Sequence, residues 1–250
     1  MEWWQLIIYG AAGLGLAVLS GISGGGGGFI MTPLAILLGL SPAQAISTGK
    51  FNGLAIALGS LGGLRAHRGT VHKGKIIAII LLTFAVGLTV PHIIKSFESS
   101  HYQLMLGIIL LLMIPVIVYK KIGLHPHRPT PLKKGLGGVL LALSLFLQGV
   151  FSGGLGTLVN VVLMGMLGQT ALEANITKRW SQVVLNVTII LGVLTSGLIV
   201  WPVMAVGTTS AMLGGYVGGH MAVRKGNKFA MDVTLAMMGL AGVYLVATAL

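Results

Sequence analysis

Two glycine-rich interruptions in otherwise apolar sequence restrict what this chain can fold into more than any other feature. The first is Gly21-Ile22-Ser23-Gly24-Gly25-Gly26-Gly27-Gly28, and Ser152-Gly153-Gly154-Leu155-Gly156 repeats Ser23 to Gly27 at an offset of 129 residues. Five consecutive glycines do not sustain a helix, because each costs about 1 kcal/mol relative to alanine there. Yet apolar residues flank the run, Leu14 to Leu19 before it and Phe29 to Leu38 after it. At membrane depth, non-helical backbone survives only where protein or a watery cavity satisfies its polar groups. A pair of such breaks in corresponding positions points to a transporter's binding site.

Composition makes lipid the expected surroundings. Of 250 residues, 55% are hydrophobic and 8% charged, and the mean hydropathy is +0.95; soluble domains carry about 25% charged residues. The formal charge of +12 does not describe a nucleic-acid stripe, since twelve of the sixteen Lys and Arg fall in three loops, 65–75, 120–134 and 224–228. Clusters of that kind between apolar segments report orientation in a bilayer. They place those loops in the cytoplasm, with 95–101, the uncharged 196–201 and both termini outside. Cysteine is absent, which excludes disulfides and thiolate metal sites. His125-Pro126-His127 is too short a signal for a metal centre, so neither metal nor cofactor is expected. Met1-Glu2-Trp3-Trp4 lacks the basic region of a cleavable signal, and Trp3, Trp4 and Trp201 read as interfacial anchors.

Four stretches, roughly 76–94, 102–119, 202–222 and 230–250, approach the roughly 20 residues needed to cross a bilayer. Two further long helices, 42–64 and 171–195, each follow a short apolar piece, 29–38 and 157–167. Ten or eleven residues make about 15 Å of helix, half of a ~30 Å hydrocarbon core. Ser41-Pro42-Ala43-Gln44 and Thr170-Ala171-Leu172-Glu173 are capping boxes 129 residues apart, and Gly39 and Gly168 are suited to end the preceding pieces. The expected fold is an all-α polytopic membrane protein of eight segments. Two inverted repeats, 1–121 and 135–250, are joined by a cytoplasmic linker, 122–134. Each repeat is a glycine-broken re-entrant hairpin plus three spanning helices.

Lys50 lies nine residues beyond Ser41, and Arg179 nine beyond Thr170, which is about 13 Å along each helix. Both cations then fall near the midplane, beside the backbone N–H groups of half-helix N-termini, which carry partial positive charge and bind oxyanions. The expected ligand is a small inorganic or organic anion. Its expected contacts are Gly24, Gly25, Gly26 and Gly27, Lys50 and Asn52, Gly153, Gly154 and Gly156, with Asn175, Arg179, Gln182 and Asn186. The last four sit at i, i+4, i+7 and i+11 on one helical face. The competing readings are a snorkelling Lys50 and a polar stripe that only bonds helix to helix. Lys178 points about 100° away from that face and is left out. Thr48 and Asn52, with Thr177 and Ser181, make a weaker polar pair in each copy. Glu173 is accounted for by its capping box; His92 and His220 lie near span ends and Asp232 begins the last span. The run Ser47-Thr48-Gly49-Lys50 fails as a phosphate-binding loop, because Gln44 replaces its first glycine and Phe51 its hydroxyl residue.

At these residues the chain resembles the TauE/SafE family of sulfite and organosulfonate permeases. The resemblance rests on Gly21 through Pro33, on Gly-Leu-Ser-Pro-Ala-Gln-Ala-Ile-Ser-Thr-Gly-Lys at 39–50, on the second copy, and on the tail from Gly214 to Arg224. The second copy departs from the first: Leu155 interrupts its glycines and Val162 stands where Pro33 would correspond. The resemblance implies transport of sulfite, sulfonates or related oxyanions in the cytoplasmic (inner) membrane, without an enzymatic step. Two other classes compete. A passive anion channel would use the same site without coupling. An intramembrane serine protease would use Gly21-Ile22-Ser23-Gly24 with His220 or His92 as base, against which Val150 stands at the position matching Gly21.

Overall fold

The computed structural model describes residues 3–25, 28–65, 71, 73–94, 130–151, 156–194 and 196–247, together with 108, 111, 112, 114 and 115. Its elements are all helices: α1 (Trp3–Ser23), α2 (Gly28–Leu37), α3 (Pro42–Gly63), α4 (Lys73–Ile94), α5 (Pro131–Phe151), α6 (Gly156–Gly165), α7 (Ala171–Val193) and α8 (Trp201–Ala247). The sequence α1–α2–α3 recurs as α5–α6–α7, with a break and a ten-residue helix in the middle of each. The expected span at 102–119 lies almost wholly outside the described residues.

Local chemistry sets the boundaries. Ser41 and Thr170 cap α3 and α7, each accepting from the backbone N–H three residues on while Gln44 and Glu173 bond back to the cap N–H. Gly39 and Gly168 have φ of 99° and 71°, a left-handed conformation that costs glycine nothing and lets each short helix turn straight into its cap. Removing a cap hydroxyl exposes an orphan N–H. Thr170→Ala is therefore expected to destabilise the chain by about 1 kcal/mol, read as a lower melting temperature in detergent, whereas Thr170→Ser leaves it unchanged.

One expected boundary is corrected and another is narrowed. The linker does not run to residue 134, because Pro131 already opens α5, and Lys133 N–H is within 3.4 Å of the Thr130 hydroxyl. The expected spans 202–222 and 230–250 do meet inside the expected break at 224–228, but the break is narrower than a loop: Gly226 is its non-helical residue (φ 80°, ψ −175°), with helix on both sides within Trp201–Ala247. Among the described residues, two helical stretches are both long and apolar enough to cross a membrane, Trp3–Ser23 and Pro131–Val150. Their partners α3 and α7 fall short because they carry buried polar rows, Ser47 to Asn52 and Asn175 to Asn186.

Glycines hold the bundle together. Helix α8 packs against α1 and α3 at distances where no side chain fits between backbones. A Cβ on Gly21 would lie 2.8 Å from the Gly215 carbonyl, and one on Gly219 would lie 2.6 Å from the Ser60 carbonyl. Such close approach substitutes for the hydrophobic drive that lipid cannot supply between helices. Apolar side chains then gather in separate groups. Tyr9, Met31, Ala35, Leu40, Ala45 and Val203 surround the α2–α3 turn near the start of α8. Leu141, Leu163, Leu172, Ala222 and Ala230 surround the α6–α7 turn, where the Asn227 side chain accepts from Leu172 N–H (3.0 Å) beside the Gly226 break.

Candidate functional site

A helix leaves its last four carbonyls without intrahelical partners. The last four of α1 are Ser20, Gly21, Ile22 and Ser23, all buried; the Ser20 carbonyl still accepts from Gly24 N–H at 2.9 Å, and side chains from the second half of the chain donate to all four. Arg179 Nη2 donates to the Ser20 carbonyl. Asn175 Nδ2 donates to the Gly21 and Ile22 carbonyls, both at 2.9 Å. Asn160 Nδ2 (2.6 Å) and the Thr234 hydroxyl (3.1 Å) both reach the Ser23 carbonyl. Beyond the helix, Lys178 Nζ donates to the carbonyl of Gly24, whose φ is 78°.

The second break has a related partner. Lys50 Nζ donates to the Gly149 carbonyl at 2.5 Å, near the end of α5. Lys50 and Arg179 are 129 residues apart, as are Ser20 and Gly149, so the two contacts exchange when the halves of the chain are exchanged. Gln182 Nε2 donates 3.0 Å to the carbonyl of Gly53, its own counterpart at the same offset. The breaks also touch: a Cβ on Gly25 would lie 2.8 Å from the Gly156 carbonyl carbon.

The cations meet carbonyls at helix carboxyl ends, where the sequence placed N–H groups of half-helix amino ends. The cause is electrostatic, since a helix end carrying about −0.5 elementary charge draws cations. One amino end does contribute, because a side chain on Gly156 at the start of α6 would collide with the Lys178 ammonium. Lys178, excluded on its helical face, belongs to the cluster, and its bond to Gly24 was not readable from spacing within α7.

Of the remaining expected residues, Arg179 Nε bonds to Asn175 Oδ1 (3.2 Å) and Nη1 to Gln182 Oε1 (2.8 Å), so these three form one network. Asn186 lies against Gly53, with its Nδ2 unpartnered in protein. Asn52 lies apart from the carbonyl cluster, donating to the Tyr9 hydroxyl at 2.8 Å. Thr48 accepts from Val200 N–H (3.2 Å) and Ser181 donates to the Lys178 carbonyl (2.7 Å). Gly26, Gly27, Gly153 and Gly154 lie outside the described residues. Ser23, the nucleophile of the protease reading, has its hydroxyl bonded at both ends to the Gly25 backbone; His220 is exposed and stacks on Tyr216 with ring centroids 6.5 Å apart.

Burial gives the cluster its electrostatic character. Lys50, Lys178 and Arg179 are 2%, 1% and 0% exposed. The chain has four acidic residues, and the two described ones are elsewhere. Glu173 accepts from Thr170 N–H in its capping box (2.9 Å), and Asp232 is exposed. Three basic side chains therefore face the carboxyl ends of α1 and α5, each worth about half an elementary charge, with no carboxylate beside them among the described residues.

Residues 9–245 match the family described as "Sulfite exporter TauE/SafE". The chain is 26% identical over 216 residues to a "Probable membrane transporter protein" of Haemophilus influenzae, covering 85% of this chain and 84% of that one. It is 27% identical over 212 residues to a "Probable membrane transporter protein ORF9" of a Sinorhizobium species, covering 82% and 78% respectively. No solved structure matches. With glycine breaks, capped half-helices and a family match spanning nearly its whole length, the chain belongs to the sulfite exporter TauE/SafE family.

Proposed function

We propose that the chain is a secondary transporter of a small oxyanion, namely sulfite, an organosulfonate or a related sulfur-containing anion. The ligand binds between the two helix breaks and crosses the cytoplasmic membrane by alternating access. The observation that carries this reading is the group of three buried basic side chains with no carboxylate beside it among the described residues. Uncompensated charge in a membrane interior is costly, and an anion arriving at the breaks lowers that cost. Lys50, Lys178 and Arg179 supply the charge. Asn175 and Gln182 orient the guanidinium, Asn186 offers an amide group near Gly53, and the glycines at 24–27, 153, 154 and 156 allow close approach; Asn52, bonded to Tyr9, is not part of the proposed site.

Inverted repeats are part of the proposal. What supports them is the exchange of Lys50–Gly149 for Arg179–Ser20 and the contact between the equivalent positions Gly53 and Gln182, as a two-fold relation produces. The α2–α3 turn near the start of α8, and the α6–α7 turn near Gly226, agree with it. The transporter names of the two relatives support the transport class, and the family name alone supports the sulfur oxyanion.

Labelled sulfite or an organosulfonate should accumulate in proteoliposomes containing the chain, and Lys50→Ala with Arg179→Ala should lower the flux at least tenfold. Unchanged flux in that double variant removes the site. Unitary currents in planar bilayers would instead establish the channel.

A further inference from the structure

Between α4, α5, α6 and α7 lies a cavity of about 760 Å³, within the size range of ligand pockets. Lys75 and Lys134 line it, both exposed, and Ile79, Leu82, Leu141 and Leu163 are among its walls. Two polar residues line it as well: Gln169, in the α6–α7 turn, and Thr177. Both are almost fully buried, at 2% and 1% exposure, and Gln169 Oε1 and Thr177 Oγ1 have no protein partner. Thr177 immediately precedes Lys178 and Arg179 in α7.

We propose that this cavity is the open arm of the anion's path, leading from Lys75 and Lys134 down to Thr177 and the buried cations. It rests on the transport reading given above. A hydrophobic occupant such as an acyl chain would leave the Gln169 and Thr177 oxygens unsatisfied, at a cost that buried polar groups seldom bear; a hydrated anion satisfies them. Lysines at a low-dielectric mouth raise the local concentration of anions and speed their arrival. At the corresponding place in the other half, Thr48, 129 residues before Thr177, accepts the Val200 N–H at 3.2 Å, whereas the equally buried Thr177 Oγ1 has no protein partner. The proposed path therefore opens at the end bearing Lys75 and Lys134, which the charge distribution assigns to the cytoplasm, and is closed at Thr48.

The chain has no native cysteine, so single cysteines can be placed without background. Thr177→Cys and Gly138→Cys are the reporters. Gly138 lines the cavity, and an added Cβ there meets nothing within 4 Å, so this variant keeps the fold. Both should be modified by a membrane-impermeant anionic methanethiosulfonate in inside-out vesicles. At Thr177→Cys the anionic reagent should outpace its cationic analogue about tenfold, each rate taken relative to a free thiol in solution. Lys75→Glu with Lys134→Glu should reverse that ratio. Thr48→Cys should stay unmodified from the other face. Protection of Thr177→Cys from both reagents, a faster cationic reaction, or equal modification of Thr48→Cys overturns the proposal. Flux of sulfite separates the two readings. Retained flux with a protected Thr177→Cys sinks the route alone, whereas an accessible cysteine without flux of any sulfur oxyanion sinks the transport reading.

Discussion

Arg179→Met should erase the anion-dependent rise in melting temperature. A ligand held at a hundred times its Kd stabilises the native state by about 2.7 kcal/mol, and with the guanidinium gone the curves with and without sulfite should superimpose. The variant should also melt lower without ligand. It removes donors to the Ser20 carbonyl, Asn175 Oδ1 and Gln182 Oε1, and a buried acceptor left unmet costs about 1–3 kcal/mol. The two readouts separate two roles. A purely structural helix cap would lower the baseline and leave the ligand-induced shift intact, which would show that Arg179 holds α1 without binding an anion. Arg179→Lys keeps a charge but not the planar fork, so it should retain part of the shift.

Gly218→Val should abolish recovery of folded protein. A Cβ at that position would run into the Val18 carbonyl and approach Gly21 Cα at 2.9 Å. Overfilling a packed core typically costs about 1–3 kcal/mol when side chains can move aside. Here the obstructing atoms are backbone of α1, so α1 and α8 must separate and the carbonyls at the end of α1 move with them. Size-exclusion chromatography after detergent extraction should show aggregate in place of a single peak. Gly135→Ala, where an added Cβ meets nothing within 4 Å, is the matched control and should elute as the parent does. Survival of a monodisperse Gly218→Val would mean that the α1–α8 contact is looser than described.

What the sequence disclosed about this fold was local. Capping boxes, left-handed glycines and half-length apolar pieces are written in three to ten consecutive residues, and both short helices begin within one residue of where the pattern places them. The polar stripe of α7 was equally legible, because Asn175, Arg179 and Gln182 recur at helical spacing and join in one network. Partners far apart in the chain were not. Asn160 and Thr234 meet the Ser23 carbonyl across 137 and 211 residues, and nothing in their own neighbourhoods marks them. Lys178 was lost to a one-face argument, which fails because the chain after α1 wraps past α7 and presents carbonyls to two of its faces. The break between the last two spans was legible as well: the basic, glycine-containing stretch 224–228 reads as an interruption, and Gly226 within it leaves helical geometry; only its narrowness, a single non-helical residue, was not readable.

Five consecutive carbonyls, from Ser20 to Gly24, are held by side chains of α6, α7 and α8. Those carbonyls accept six such bonds, and at about 1 kcal/mol net for each, prising the first third of the molecule from the remainder forfeits roughly 6 kcal/mol unless something replaces those donors' partners. A cargo with several oxygens is such a replacement, and only differential affinity of that kind shifts a conformational balance. In the alternating-access cycle proposed above, an unloaded protein is stitched shut along this seam, so the return stroke without cargo should be the slow half of the cycle, and exchange of one anion for another should run faster than net movement.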